Sequence, residues 1–265
     1  MSPNATLYIA LLLYALGTLL ALGTLFSRDR RPQLIALGFM IAGFISHTIW
    51  IGGICVRTGH PPLTNLPEAS AFMSWTLLAV ELVLFIRYRV HAASFFVYPL
   101  VLMLATIAAV VREPFAKMAP AMRSNLFTAH ILFSTVGVAA LFIGLAFTVL
   151  AFLQDRSLKN KQRGALWEWI PSLSICKQLS YRALAIGFSI YTLGILCGIM
   201  WSYRTTAELI DLRVKPIGAM VAWVLFAVLL QSYISGGAYR ARRTMLISAG
   251  AFVATLVAIL GIHHV

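Results

Sequence analysis

The sequence predicts an all-α, polytopic membrane protein with about eight transmembrane helices and both termini outside. Three observations carry this reading. The first is composition: 60% of the 265 residues are hydrophobic and only 11% are charged, with a mean hydropathy of +0.88. Soluble domains run nearer ~25% charged, and a chain of this length cannot hide so much apolar surface from water. The second is run length. The apolar stretches are about 20 residues long, as a hydrocarbon core of ~30 Å demands of a helix, and are not the alternating runs of about ten of a transmembrane barrel. The third is charge placement. Two thirds of the 21 lysines and arginines cluster around 28–31, 87–89, 156–182 and 240–243, and the rest lie around 57, 112–123 and 204–215. These are alternate loops, so the positive-inside rule assigns the first set to the cytoplasm. That distribution accounts for most of the +13 net charge, and no nucleic-acid partner is expected.

The elements follow in order, as one integral membrane domain over 1–265. The first stretch, roughly 5–26, lacks a basic start and is followed by Arg28, Arg30 and Arg31, which marks a retained helix and not a cleaved signal. The second, roughly 34–55, carries His47 between Ser46 and Thr48. A proline-stiffened loop with His60, Pro61 and Pro62 leads to the third, roughly 68–86. Asn65 or Thr64 can cap that helix, and Glu68 in its first turn is favoured by the helix dipole. Glu81 lies inside this span; a transporter would need several such acids at depth, and Glu81 is nearly alone. The fourth span is roughly 93–111, and the fifth, roughly 128–153, is headed by His130. In the cytoplasmic stretch that follows, Pro171 and Ser172 signal the start of a short interfacial helix leading into the sixth span, roughly 182–203. A short polar outer loop, with room for a helical turn, connects to the seventh, roughly 217–235. The eighth, roughly 244–262, ends at His263 and His264. Cys55, Cys176 and Cys197 have no paired spacing, and neither CxxC nor CxxCH occurs. Thiol exchange and covalent haem attachment to this chain itself are therefore not indicated.

This topology brings His130 and the His263-His264 pair to the same, outer side of the membrane. Two imidazoles at one depth can hold a haem iron between them, and no cysteine–carboxylate set at zinc spacing competes. The alternative is that these histidines merely wet their polar edges at the interface. His47 is either a packing residue bonded to a neighbouring hydroxyl or carbonyl, or a lower ligand or propionate contact.

Several segments in consistent order resemble the cytochrome c assembly family of the CcsA/ResC type, including its HemX-like relatives. The outer loop matches the family pattern GHxPxxNxxExxxFxxW at Gly59, His60, Pro62, Asn65, Glu68, Phe72 and Trp75. Ala129-His130-Ile131 heads a long span ending at 152–159. Pro171 to Leu173, Ser180 to Arg182, Gly187-Phe188, Thr192 to Ile195 and Gly198 to Trp201 form a third block. Tyr239 to Arg243 and Leu260 to His263 close the match. The resemblance implies a haem (haem b) presented at the outer face of a bacterial plasma membrane for attachment to apocytochrome c, with a second biogenesis subunit as partner and the lipid bilayer as solvent. It maps the two outer histidines of the family onto His130 and His263, with His264 adjacent. Trp201 and Arg204 are the further cofactor contacts, and Arg204, Arg213 or Lys215 would pair with the propionates. The chain departs from the family in two places. The tryptophan-rich loop expected between Trp201 and Trp223 has lost its tryptophans, with Arg213 at the aspartate position, and Gln231 replaces a histidine near the end of the seventh span. The resemblance implies a haem lyase subunit; the altered loop favours a non-catalytic, HemX-like accessory protein that influences haem synthesis.

Overall fold

The structure is a computed structural model that describes residues 4–26, 29, 31–111, 122–161, 167, 169–206, 214–235, 246–248, 250–251 and 253–255. Helices form all of its regular structure: α1 (Ala5–Gly23), followed by a 3-10 turn (Thr24–Phe26), α2 (Arg31–Thr58), α3 (Leu66–Tyr88), α4 (Ser94–Val110), α5 (Asn125–Lys159), α6 (Leu173–Thr206) and α7 (Val214–Ile234). Helix is the expected form because lipid offers no partner to a free N–H or C=O. Six of these are long and apolar enough to cross a membrane, α4 being the exception at 17 residues. That length is at the short end of what spans a hydrocarbon core. The described parts of 246–255 are helical, in the place of the eighth expected span.

The third helix begins as its sequence predicts. Asn65 Oδ1 accepts from Glu68 N at 3.0 Å, and the Glu68 carboxylate accepts from Thr64 N at 2.9 Å and from Thr64 Oγ1 at 2.8 Å. This reciprocal arrangement satisfies donors that a helix start leaves open. Glu68 is buried, so the cap is sheltered from competing water. Asn65→Ala is expected to cost about 1 kcal/mol of stability. A melting temperature equal to that of the unaltered protein in the same detergent would show that the cap is idle.

The sixth span differs from expectation in one respect. Its start does lie at Pro171-Ser172, with Cys176 N donating to Ser172 O at 3.0 Å. No break separates an interfacial helix from the span, and α6 runs unbroken for 34 residues. The fifth helix is likewise longer than its apolar core, at 35 residues, because its polar tail continues the helix. Lys159 Nζ and Asp155 Oδ2 pair at 2.7 Å one turn apart there, an i,i+4 contact that favours helical propagation.

Packing divides the chain into two compact units, Met1–Met118 with Lys161–Pro171, and Ala119–Asn160 with Ser172–Val265. In the first, α1 packs against both α2 and α4, and α4 against α3. Trp75 ties α3 to α2: its Nε1 donates to Thr48 Oγ1 at 2.8 Å, and its ring stacks on Phe44 and Phe72. In the second unit, Leu141, Leu145, Leu184, Tyr191, Ala222, Phe226 and Leu229 form the core.

Candidate functional site

The second unit is built on a close antiparallel pair, α5 and α6. Reading down α5, Phe127 meets Trp201, His130 meets Gly198, Ser134 meets Gly194, Gly137 meets Tyr191, Leu141 meets Gly187, Gly144 meets Leu184 and Thr148 meets Ser180. Each step of three or four residues along α5 is matched by the same step along α6, so the register holds without slip. At 1.5 Å per residue the run covers about 31 Å, the thickness of a hydrocarbon core. Small residues at the contacts let the backbones approach, the usual device where lipid is as apolar as leucine and hydrophobicity cannot drive association.

His130 sits near one end of this ladder. Its Nδ1 lies 2.8 Å from the Gly194 carbonyl oxygen and 3.4 Å from Ser134 Oγ. A carbonyl only accepts, so Nδ1 carries the proton. In a neutral ring the lone pair is then on Nε2. No residue among those described bonds to Nε2. The imidazole is thereby fixed in direction and tautomer by a second contact, as metal-bound histidines ordinarily are. The ring fills space that a side chain at position 198 would need, for a Cβ built on Gly198 would stand 2.6 Å from Nδ1. One turn towards the helix ends, the Trp201 and Phe127 rings pack at 5.0 Å between centroids, with an interplanar angle of 53°. Arg204 follows one turn further on, at the exposed end of α6. Gly198, Trp201 and Arg204 therefore rise along α6 at spacings near one turn.

The other expected site residues are distributed as follows. His263 and His264 lie outside the described residues, as does 207–213, which includes Arg213. Lys215 is in the first turn of α7, and Gln231 is exposed near its end. His47 belongs to the first unit, where it is fully buried with Nδ1 3.3 Å from Tyr14 OH and its ring tilted against Trp50. The packing reading, with a hydroxyl partner, describes that contact. His60 Nδ1 donates to Pro61 O at 2.9 Å. Among the described residues no group of three His, Cys, Asp or Glu converges as a metal cluster would require.

The residues that sequence reasoning missed are those that hold His130, namely the Gly194 carbonyl, Gly198 and Ser134. A signal for two of them was available. Gly194 and Gly198 are four apart in an apolar span, the spacing that marks a close-approach face, although nothing in that spacing names the histidine lying across it.

The profile of the cytochrome c assembly protein family matches residues 63–265. Among curated proteins, the chain is 25% identical to the cytochrome c biogenesis protein CcsA of Guillardia theta, over 97% of this chain and 90% of that one. It is 25% identical to the protein of the same name from Mesostigma viride, over 91% and 82%. A third, from Chlorella vulgaris, is 26% identical over 78% and 76%.

Proposed function

Because this chain belongs to the cytochrome c assembly protein family, we propose that it handles haem in cytochrome c biogenesis. In this reading it presents haem b at the outer face of a bacterial plasma membrane for attachment to apocytochrome c, as one subunit of a synthase. Both chain termini lie on that face. His130 is one axial ligand, and His263 or its neighbour His264 is the other. The observation that carries the reading is the bond from His130 Nδ1 to the Gly194 carbonyl, which leaves Nε2 as a directed lone pair. Held this way, the ring needs little reordering to bind iron, and ordering costs are what preorganisation removes. The Trp201–Phe127 pair, its rings tilted at 53°, is apolar surface one turn from His130, suited to packing against a porphyrin edge. Arg204, exposed beyond it, would hold a propionate, since a guanidinium holds a carboxylate through paired hydrogen bonds.

Bound haem would supply the two vinyl groups to which the thiols of an apocytochrome add. This chain's part is to grip the iron, orient the ring and keep oxygen from an open coordination position. It brings no CxxCH of its own, so the thiols come from the partner.

A second reading, a non-catalytic accessory protein of the HemX kind acting on haem synthesis, is favoured by one observation. The stretch from Ser202 to Pro216 contains no tryptophan. An absorption spectrum of the purified protein separates the two. The first expects a Soret band that falls at least tenfold in His130→Ala, with protein yield retained. Haem-free protein, together with normal cytochrome c maturation in a deletion strain, would overturn it.

A further inference from the structure

The first unit contains a set of polar groups that the His130 site does not use. Thr18 Oγ1, His47 Nε2, Ser70 Oγ and Glu81 Oε2 are buried with no hydrogen-bond partner. Leaving one such group unpaired costs about 1–3 kcal/mol, so four in one bundle need an explanation. They come from three helices, α1, α2 and α3, and are strung over about 20 Å of depth at 1.5 Å per residue. Trp75 bonds to Thr48, and Gly17 packs on Met40, which sets the helices in register. At 1.5 Å per residue, Ser70 lies about 7 Å from the Trp75 level towards Asn65. His47 is nearly level with Trp75. Glu81 is about 9 Å, and Thr18 about 13 Å, in the opposite direction. Tyr14 OH, in contact with His47 Nδ1, lies within this interval.

The two ends of the file differ. Beyond Thr18, the polar groups are mutually bonded: Thr24 Oγ1 to Gln33 Oε1 at 3.2 Å, Gln33 Nε2 to Ser94 Oγ at 2.9 Å, and Ser94 Oγ to His91 O at 2.5 Å. The Thr24, Gln33 and Ser94 side chains of that network are buried. At the other end, Ser70 lies little more than one turn below the capping residue Asn65, where the loop begins.

We propose that the interior of the first unit is a proton-binding site, in which water molecules run from the Asn65 end past Ser70, His47 and Tyr14 to Glu81. Buried water is the ordinary partner of buried polar groups that protein atoms do not satisfy. Acid, imidazole and hydroxyl groups strung through a membrane bundle are the usual components of a proton relay. Among the described residues the buried titratable groups of these four helices are Tyr14 on α1, His47 on α2, Glu68 and Glu81 on α3 and Tyr98 on α4; Glu68 is held in the helix cap by Thr64 and Asn65, and Tyr98 is an electrostatic neighbour of Glu81. No cation pairs with Glu81 among the described residues; the nearby Arg87 lies over the Tyr88 ring. A proton taken from bulk water passes along the file to a Glu81 carboxylate oxygen and returns by the same route, because the buried side chains of Thr24, Gln33 and Ser94 occupy the far end. No electron moves, and no net transport results.

Infrared spectroscopy of the full chain in lipid nanodiscs tests this. The unaltered protein should show a protonated carboxyl C=O stretch that shifts within seconds of transfer to D2O. The band should vanish in Glu81→Gln and move in Glu81→Asp, which keeps the acid. Ser70→Ala and Tyr14→Phe should slow the exchange about tenfold. A carboxyl spectrum unchanged by both Glu81 substitutions would overturn the site, and a band unshifted after hours in D2O would show a dry core and overturn it equally. Exchange at the unaltered rate in both Ser70→Ala and Tyr14→Phe would overturn the route.

Discussion

Gly198→Ala should destroy the His130 site while sparing the rest of the protein. The new methyl group would stand 2.6 Å from His130 Nδ1 and 2.8 Å from Cε1, well inside van der Waals contact. The imidazole is the only one of the two contacting groups that can swing away. Doing so breaks its 2.8 Å bond to the Gly194 carbonyl and turns Nε2 from its direction. Overpacking of this kind costs about 1–3 kcal/mol. If the same energy is lost from haem binding, affinity falls roughly 5- to 140-fold, at 1.4 kcal/mol per factor of ten. The contact is tested independently of haem by a double-mutant cycle. Gly198→Ala should lower the melting temperature when His130 is present and have little effect in a His130→Ala background, where the space is open. Equal losses in both backgrounds would show that the imidazole does not lie against Gly198.

Gly137→Ala should be the more damaging change to the fold. A Cβ there meets Tyr191 N at 2.6 Å and Tyr191 Cα at 2.7 Å. These are backbone atoms of α6, with no flexible end to yield, so α5 and α6 must part. Parting disturbs each rung of the ladder, including the Thr148–Ser180 contact at 2.6 Å and the bonds of both residues to Tyr233. The expected loss is at the upper end of the overpacking range, about 3 kcal/mol. Gly52→Ala is the control, since nothing lies within 4 Å of a Cβ at that position. In a helix it should be neutral or stabilising by up to about 1 kcal/mol. Similar melting temperatures for Gly137→Ala and Gly52→Ala would mean that the helix pair is looser than described.

Much of the fold was legible in the sequence because the bilayer imposes a length and a composition. The first three spans, the cap at Asn65 and Glu68, and the start of α6 at Pro171-Ser172 follow from local rules that need no knowledge of neighbours. The long tails of α5 and α6 did not, since polar residues outside the hydrocarbon are compatible with helix or loop, and the hydropathy signal ends where the lipid does. His130 was legible as a candidate from residue type, its place at the head of a span and the resemblance around it. What holds it was not legible. Position 130 and positions 194 and 198 are more than sixty residues apart, and only packing brings them together.

Residue order alone therefore specified a helical membrane protein of the cytochrome c assembly kind, because apolar run length, turn chemistry and ordered motifs are one-dimensional properties. The tertiary structure decided the tautomer of His130, the need for glycine at 198 and 137, and the burial of the polar groups of His47 and Glu81. Each depends on which helix faces which and in what register, and register is set by close packing between distant segments.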